Sequence, residues 1–489
     1  MSTKAKRSQA VADCRKGQQE TVRRTDGSHM MKKGLTSGKD EKFRDFTLNG
    51  NLWLLLLQVG IPLALYQSLS MLFKILDSMM ASHISAESVS AVAYLSQINQ
   101  MISAIGGGLA VGSSLKVSQA YGAGDYKLVK RRISTLFGIC GILGIVLVCL
   151  IPFTPAILRI ARTPENLVDI GSRYFAIELI GIVISFLNNV YIAVERARGN
   201  SRRILYLNLF VIAVKLGLTA FFVYVLRSDI TMIAVATVIS QGILLGAGIY
   251  HMTRKDSAFS FSFKAVSFRR ETIGPMLHIS FPVMVEKGAF SFGKVVVNFM
   301  SSMYGSLTVG ALGISNNING FTTSAQNGFQ DGCAAVISQN LGAGNKKRAI
   351  EAFQKLLCIN VLVGVTGFAV TMACLQPISL LFATAEGVVN PEFQEMIIAI
   401  NRYELIGGCI PLGVFSSCMA LLLGFGKTKL TLLINFSRVF LFRIPVLWGL
   451  QNFTNLGTES VGITMMVSNM LVAVMALVIA LVVVRRENR

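Results

Sequence analysis

Long apolar stretches alternate with short polar ones through most of the chain. Those close to the 20 or so residues needed to cross the hydrocarbon core of a bilayer lie near 52–80, 90–117, 133–157, 173–194, 204–226, 230–252, 273–303, 307–336, 350–373, 394–423, 430–451 and 460–484. They predict an all-α polytopic membrane protein with about twelve transmembrane helices. The stretches are not uniformly apolar. In the first, Pro62 interrupts the run, and Gln67, Ser70, Lys74 and Asp77 follow at spacings of three, four and three, which places all four on one helix face. The seventh repeats the plan with Pro282, then Lys287, Ser291, Lys294 and Asn298. The eighth carries a stripe of Asn319, Thr323, Gln326 and Gln330, with Asn327 and Asp331 alongside. The fifth shows Asn208, Lys215 and Thr219, and the eleventh Asn435, Arg438 and Arg443 before Pro445.

The stretches also repeat. Ser118-Gln119-Ala120-Tyr121-Gly122-Ala123-Gly124 returns as Ser338-Gln339-Asn340-Leu341-Gly342-Ala343-Gly344, 220 residues later. Laid over 281–352 without a gap, residues 61–132 share sixteen identities in seventy-two positions. Pro62 matches Pro282, Lys74 matches Lys294, Asn99 matches Asn319, and Gly108 and Gly112 match Gly328 and Gly332. Glu178-Leu179-Ile180-Gly181 returns as Glu404-Leu405-Ile406-Gly407, with the shift grown to 226. The chain therefore divides into two six-helix repeats, 47–252 and 273–489. Six is even, so each repeat returns to its starting side and the two are related by a pseudo-two-fold axis along the membrane normal. Residues 1–46, polar and basic, are expected as a disordered tail, and 253–272 as a basic linker near the membrane surface.

Composition agrees: 53% of residues are hydrophobic, 15% charged, and mean hydropathy is +0.58. The net charge of +21 would suit nucleic acid, but its distribution argues against that. Lys127, Lys130, Arg131 and Arg132, then Arg196, Arg198, Arg202 and Arg203, then Lys346, Lys347 and Arg348, all fall on one alternating set of loops. That asymmetry predicts basic loops and both termini in the cytoplasm of an inner or plasma membrane, and no nucleic-acid partner. The eight cysteines show no CxxC spacing, and the four histidines form no ligand pair, so neither a metal site nor a disulfide framework is expected. The Gly-Ala-Gly turns lack the Lys-Ser/Thr of a phosphate-binding loop and read as helix-ending turns.

Together, Pro62 and Asp77, the paired Ser-Gln-x-x-Gly-Ala-Gly stretches, Arg198-Gly199-Asn200, Gly424-Phe425-Gly426-Lys427, and Arg438 followed by Pro445 resemble the multidrug and toxic compound extrusion (MATE) family, over about residues 46–486. The resemblance implies a monomeric secondary transporter in the lipid bilayer, with two lobes around a central cavity. It would exchange protons or sodium ions for drugs or small organic metabolites by alternating access, with no cofactor beyond the coupling ion. It assigns ion coupling to Asp77. Where many relatives place an Asn and, four residues on, an Asp in the fifth helix, this chain has Lys215 and Thr219.

The candidate substrate cavity is then Gln67, Ser70, Lys74, Asn208, Lys215, Glu286, Lys294, Asn298, Gln326, Gln330 and Asp331, with Pro62 and Pro282 as conformational elements. A plainer reading of Asp77 is an ion pair with Lys74 one turn earlier. A plainer reading of the lysines is snorkelling to the interface. Amides on the eighth helix could be interhelical glue, but each such bond is worth only about 0.6 kcal/mol on average, little reason for so many. Two rival functions remain at this stage: a lipid-linked saccharide flippase of the same superfamily, and a membrane-embedded enzyme, for which the chain lacks clustered histidines or paired acids.

Overall fold

A computed structural model describes residues 38–81, 86–160, 165–228, 230–253, 258–385 and 388–488. Nearly all of them are helical. The first repeat contains α2 (Leu52–Ala81), α3 (Ala86–Gly122), α4 (Tyr126–Leu150) with a short continuation α5 (Thr154–Ile160), α6 (Glu165–Ala197), α7 (Ser201–Ala220) and α8 (Ile230–Met252). It is preceded by α1 (Gly38–Asn49). The second contains α9 (Arg270–Ser301), α10 (Ser306–Gly342), α11 (Lys346–Ala383), α12 (Pro391–Gly424), the split span α13 (Thr428–Phe436) and α14 (Ile444–Phe453), and α15 (Glu459–Asn488). A two-residue hairpin, β1 (Thr384–Ala385) with β2 (Val388–Val389), joins α11 to α12.

Among the described residues, ten spans are long and apolar enough to cross a bilayer. Helices α9 and α10 complete the six-plus-six plan at 32 and 37 residues, but their polar stripes keep them out of that class. A helix of that polarity must face protein or water rather than lipid. Both do: α9 packs along α3, and α10 along α2 and α3, so the two polar helices form the second lobe's side of the seam between the lobes.

Small residues set how closely the lobes approach. A methyl group added at Gly108 would fall 2.7 Å from Met284 Cα, and one at Gly328 would fall 2.4 Å from the Ala64 nitrogen. These two contacts are one contact under the 220-residue shift, since 108 maps to 328 and 64 to 284. Close backbone approach through small residues is how helices associate in a bilayer, where lipid offers apolar side chains no competing disadvantage. Hydroxyls add to it: Ser113 and Ser280 share a 3.0 Å hydrogen bond, and Ser68 donates to the Phe321 carbonyl at 3.1 Å. Pro62 and Pro282 are both buried inside their helices, Pro282 between Ser280 and Met284 and Pro62 just before Ala64.

The seam is tightest where α3 and α10 end. Each helix stops in a glycine turn: Gly124 (φ +76°) and Gly344 (φ +82°) take the left-handed conformation that favours glycine. The bonds Asp125 N to Ala120 O (3.0 Å) and Asn345 N to Asn340 O (2.8 Å) close the two turns alike. A methyl group at Gly122 would lie 1.9 Å from the Gln339 carbonyl oxygen, and one at Gly342 would lie 1.9 Å from that of Gln119. The Gln339 amide also crosses to the Ala197 carbonyl at 2.8 Å. This end of the molecule carries the basic loops.

Two features of this end depart from expectation. The segment 38–46, expected to belong to a disordered tail, lies within α1, which is clamped to both lobes. Asp40 receives Arg198 Nε at 2.5 Å and Nη2 at 2.9 Å, and its carbonyl accepts from the Tyr121 hydroxyl. Arg44 donates to the Gly122 carbonyl at 2.8 Å. From the second lobe, Arg348 donates to the Thr47 carbonyl at 3.0 Å and to that of Gly50. The linker, where described, is packed rather than loose. Phe259 meets Tyr121 edge-on at 4.9 Å and Phe261 meets Phe137 at 5.8 Å. The backbone amides of Ser262 and Ser267 donate to Ser134 and Thr135 of α4 at 3.1 Å each. Residues up to 37 lie outside the described residues.

Gly122→Ala is expected to force the two turns apart, because its methyl meets backbone that cannot rotate away. Maleimide labelling of a Ser118→Cys reporter, in a background without other reactive cysteines, should rise several-fold; unchanged protection would contradict the contact. Asp40→Ala should free α1, seen as faster amide hydrogen exchange across 38–49 with the spans unaffected.

Candidate functional site

Above the turns, the seam becomes charged. Arg196, in the last turn of α6, reaches across to Asp331 of α10 with Nη2–Oδ2 at 3.0 Å; their side chains are 11% and 19% exposed. Gln67 of α2 donates to the same Oδ2 at 3.2 Å. Tyr66 and Ser70 are beside them on α2, and Lys287 of α9 completes the ring within the fields of Asp331, Glu286 and Arg196. Lys287 stands over Gly107, where an added methyl would be 3.5 Å from its Nζ. Its side chain is nevertheless exposed. The predicted cavity residues Gln67, Ser70 and Asp331 are thus brought together. Two members, Arg196 and Lys287, were outside the predicted set. Arg196 hides in a basic loop cluster that topology alone explains.

Glu286 turns the other way. It accepts from the Thr431 hydroxyl at 2.7 Å and from Asn435 Nδ2 at 2.8 Å, both on α13. Lys294 and Asn298 are exposed further along α9, with the Lys294 ammonium over the Phe290 ring at 5.1 Å. Lys215 is half-buried on α7 and Gln330 half-buried on α10. Gln326 points into the second lobe, donating to the Cys409 carbonyl at 2.7 Å and that of Asn360 at 3.3 Å. Asn208 is buried and donates to its own helix at Ile204. Lys74 and Asp77 are on α2, but their side chains lie outside the described residues.

Each lobe also holds an internal acid, in positions that the repeat had matched. In the first lobe Asn99 donates to Glu178 at 3.2 Å. In the second, Glu404 is buried, accepts from Ser315 at 2.5 Å, and is bordered by Asn319. The buried Asn319 amide has no hydrogen-bond partner among the described residues. Asn99 and Asn319, like Glu178 and Glu404, are repeat mates, so each lobe sets an acid beside an asparagine, hydrogen-bonded in the first at 3.2 Å. The second lobe adds arginines. Residues five apart on an α-helix point about 140° from one another, but the span containing Arg438 and Arg443 is wound as a π-helix over Ser437–Arg443. Its i→i+5 winding returns both guanidinium groups to one side, where they share Asn469 Oδ1 at 2.8 and 3.1 Å. Arg438 is also sandwiched between Phe290 and Phe415, at 5.3 and 5.4 Å from the ring centres.

The family profile described as MatE matches residues 62–221 and 282–449, nearly all of both repeats. The chain is 25% identical over 318 residues to probable multidrug resistance protein YpnP of Bacillus subtilis, covering 63% of this chain and 69% of that protein. It is 21% identical over 413 residues to probable multidrug resistance protein NorM of Thermotoga maritima, covering 82% and 86%. Its fold superposes at TM-score 0.85 and 19% identity on a multidrug resistance MATE family transporter of the MOP superfamily solved in an outward-facing conformation, covering 92% and 99% of the two chains.

Glu404→Gln is expected to remove the negative charge that Arg443 and Arg438 feel and to destabilise the second lobe by about 1–3 kcal/mol. Thermal unfolding in detergent checks this. The same change at the half-buried Glu178 should have a smaller effect.

Proposed function

The chain belongs to the MatE family of multidrug and toxic compound extrusion transporters, and from that premise we propose that it is a secondary active exporter of small organic molecules, working by alternating access against an inward proton or sodium gradient. The observation that carries the reading is a seam with two unlike ends. At the basic end the lobes meet backbone to backbone through the paired glycine turns. Contacts continue to the level of Met71 with Gly320 and of Gly107 with Lys287. Further along α9, Lys294 and Asn298 are exposed, and methyl groups at Gly288 or Gly313 would meet nothing within 4 Å. With the basic loops in the cytoplasm, this is a state shut on the cytoplasmic side. Export then requires the glycine turns to part while the other end closes.

Coupling is assigned to Asp77. An acid on a spanning helix is unfavourable by about 2.5–3.5 kcal/mol at the bilayer centre unless protein or water receives it. Gain and loss of a proton or sodium ion there would change how strongly α2 is drawn into its lobe. Pro62, with no amide hydrogen to donate, leaves a backbone carbonyl of α2 unpaired and gives the helix a place to bend. Pro282 does the same in α9.

Purified protein in liposomes, tested with candidate drugs under separate proton and sodium gradients, decides between the ions. Asp77→Asn should insert and bind substrate but lose gradient-driven accumulation; normal accumulation by this variant would falsify the assignment. Pro62→Ala should slow exchange between states at least several-fold, read as slower labelling of a Ser70→Cys reporter. Equal rates in both proteins would remove the proline from the mechanism.

A further inference from the structure

Among the many positions at which the two repeats differ, a few place charge at the seam between the lobes. Under the 220-residue shift, Gln67 corresponds to Lys287, Tyr66 to Glu286, and Val111 to Asp331. Counted back from the turns at Gly199 and Gly426, Arg196 corresponds to Leu423. Packing explains a symmetric seam. It does not explain a guanidinium, an ammonium and a carboxylate collected among the symmetric contacts.

The Arg196 guanidinium is only partly used. Asp331 takes one Nη2 hydrogen with one oxygen, and that oxygen is shared with Gln67. Arg196 Nε is buried and has no hydrogen-bond partner among the described residues. Guanidinium groups bind carboxylates and phosphates most strongly through two parallel N–H donors, and the Nε edge of Arg196 is half empty. Lys287, exposed on the opposite lobe and standing over Gly107, adds a second positive charge close enough to feel both Asp331 and Arg196. Glu286, the other acid nearby, is engaged by Thr431 and Asn435.

We propose that Arg196 and Lys287 form the anion-binding end of the substrate site, with Asp331 as a built-in occupant that an anionic substrate group displaces. A carboxylate or phosphate takes both the Nε and Nη2 donors of Arg196 and is flanked by Lys287. Asp331 then loses Arg196 and keeps Gln67. The Arg196–Asp331 pair joins first lobe to second, so its exchange for a substrate anion removes an interlobe tie at the level just above the glycine turns. Substrate binding thereby loosens the closed end. The proposal rests on the transporter reading for its consequence, but the binding step stands apart from it.

Two dyes with the same xanthene frame and opposite charge, fluorescein (anion) and rhodamine 6G (cation), are titrated against purified protein in detergent by fluorescence polarisation. Asp331→Asn removes the occupant and should tighten fluorescein by about tenfold, a shift of about 1.4 kcal/mol, while weakening or leaving unchanged rhodamine 6G. Arg196→Gln should weaken fluorescein by at least as much relative to Asp331→Asn. The double variant, which leaves no charge of the pair unmatched, should bind fluorescein as weakly as Arg196→Gln, and it guards against misfolding of the single one. A cysteine pair spanning the two turns should cross-link more slowly when fluorescein is added. Tighter rhodamine 6G binding in wild type than fluorescein in Asp331→Asn, or fluorescein affinity indifferent to both substitutions, overturns the proposal. Fluorescein binding as described, with no compound moved by any gradient in liposomes, would retire the transporter reading and leave the anion site standing.

Discussion

The lobes of this protein are held at the distance of one glycine. Everything else along the seam depends on that spacing. With α3 against α9 and α10 against α2 at backbone contact, the serines at 68, 113 and 280 reach across as hydrogen-bond partners. The same spacing brings Arg196 within 3.0 Å of Asp331. It also accounts for the polarity of α9 and α10. Amides and charges are tolerated at membrane depth only where protein or water meets them, and a tight interface supplies protein.

Inside the second lobe the problem is different. Glu404 and Arg443 are buried and Arg438 half-buried among a small set of hydroxyls and amides; the two arginines share Asn469 Oδ1, and Glu404 accepts from Ser315. Such a group is rigid only while every member is present, since removal of one strands the others. In the first lobe the matching acid accepts from its asparagine at 3.2 Å.

Much of this was legible in the sequence. The spans are, because a bilayer demands about 20 apolar residues in a row and soluble structure rarely supplies them. The matched glycines, prolines and turns are, because the repeat preserves them. That Gly108 and Gly328 face the opposite lobe is not, since periodicity assigns a face but no neighbour. Arg196 was concealed by its company: beside Arg198, Arg202 and Arg203 it reads as one more topology charge. The π winding at Ser437–Arg443 leaves no trace in spacing, and by α-helical periodicity Arg438 and Arg443 fall on different faces. Helix α1 was missed for a related reason. It is held by Asp40, Arg44 and carbonyls that accept from Arg348, with Phe43 and Phe46 as its short apolar face on the core.

The contact between the glycine turns has the form of an interface between identical subunits. Gly122 meets Gln339, and Gly342, its repeat mate, meets Gln119 in return. This is the reciprocity of an isologous pair, in which one surface is its own complement. A single six-helix unit carrying that turn would already possess everything needed to close on a copy of itself. In one chain the two copies keep this self-complementary surface in common, while the charges near it, Arg196, Lys287 and Asp331, need no counterpart in the other half.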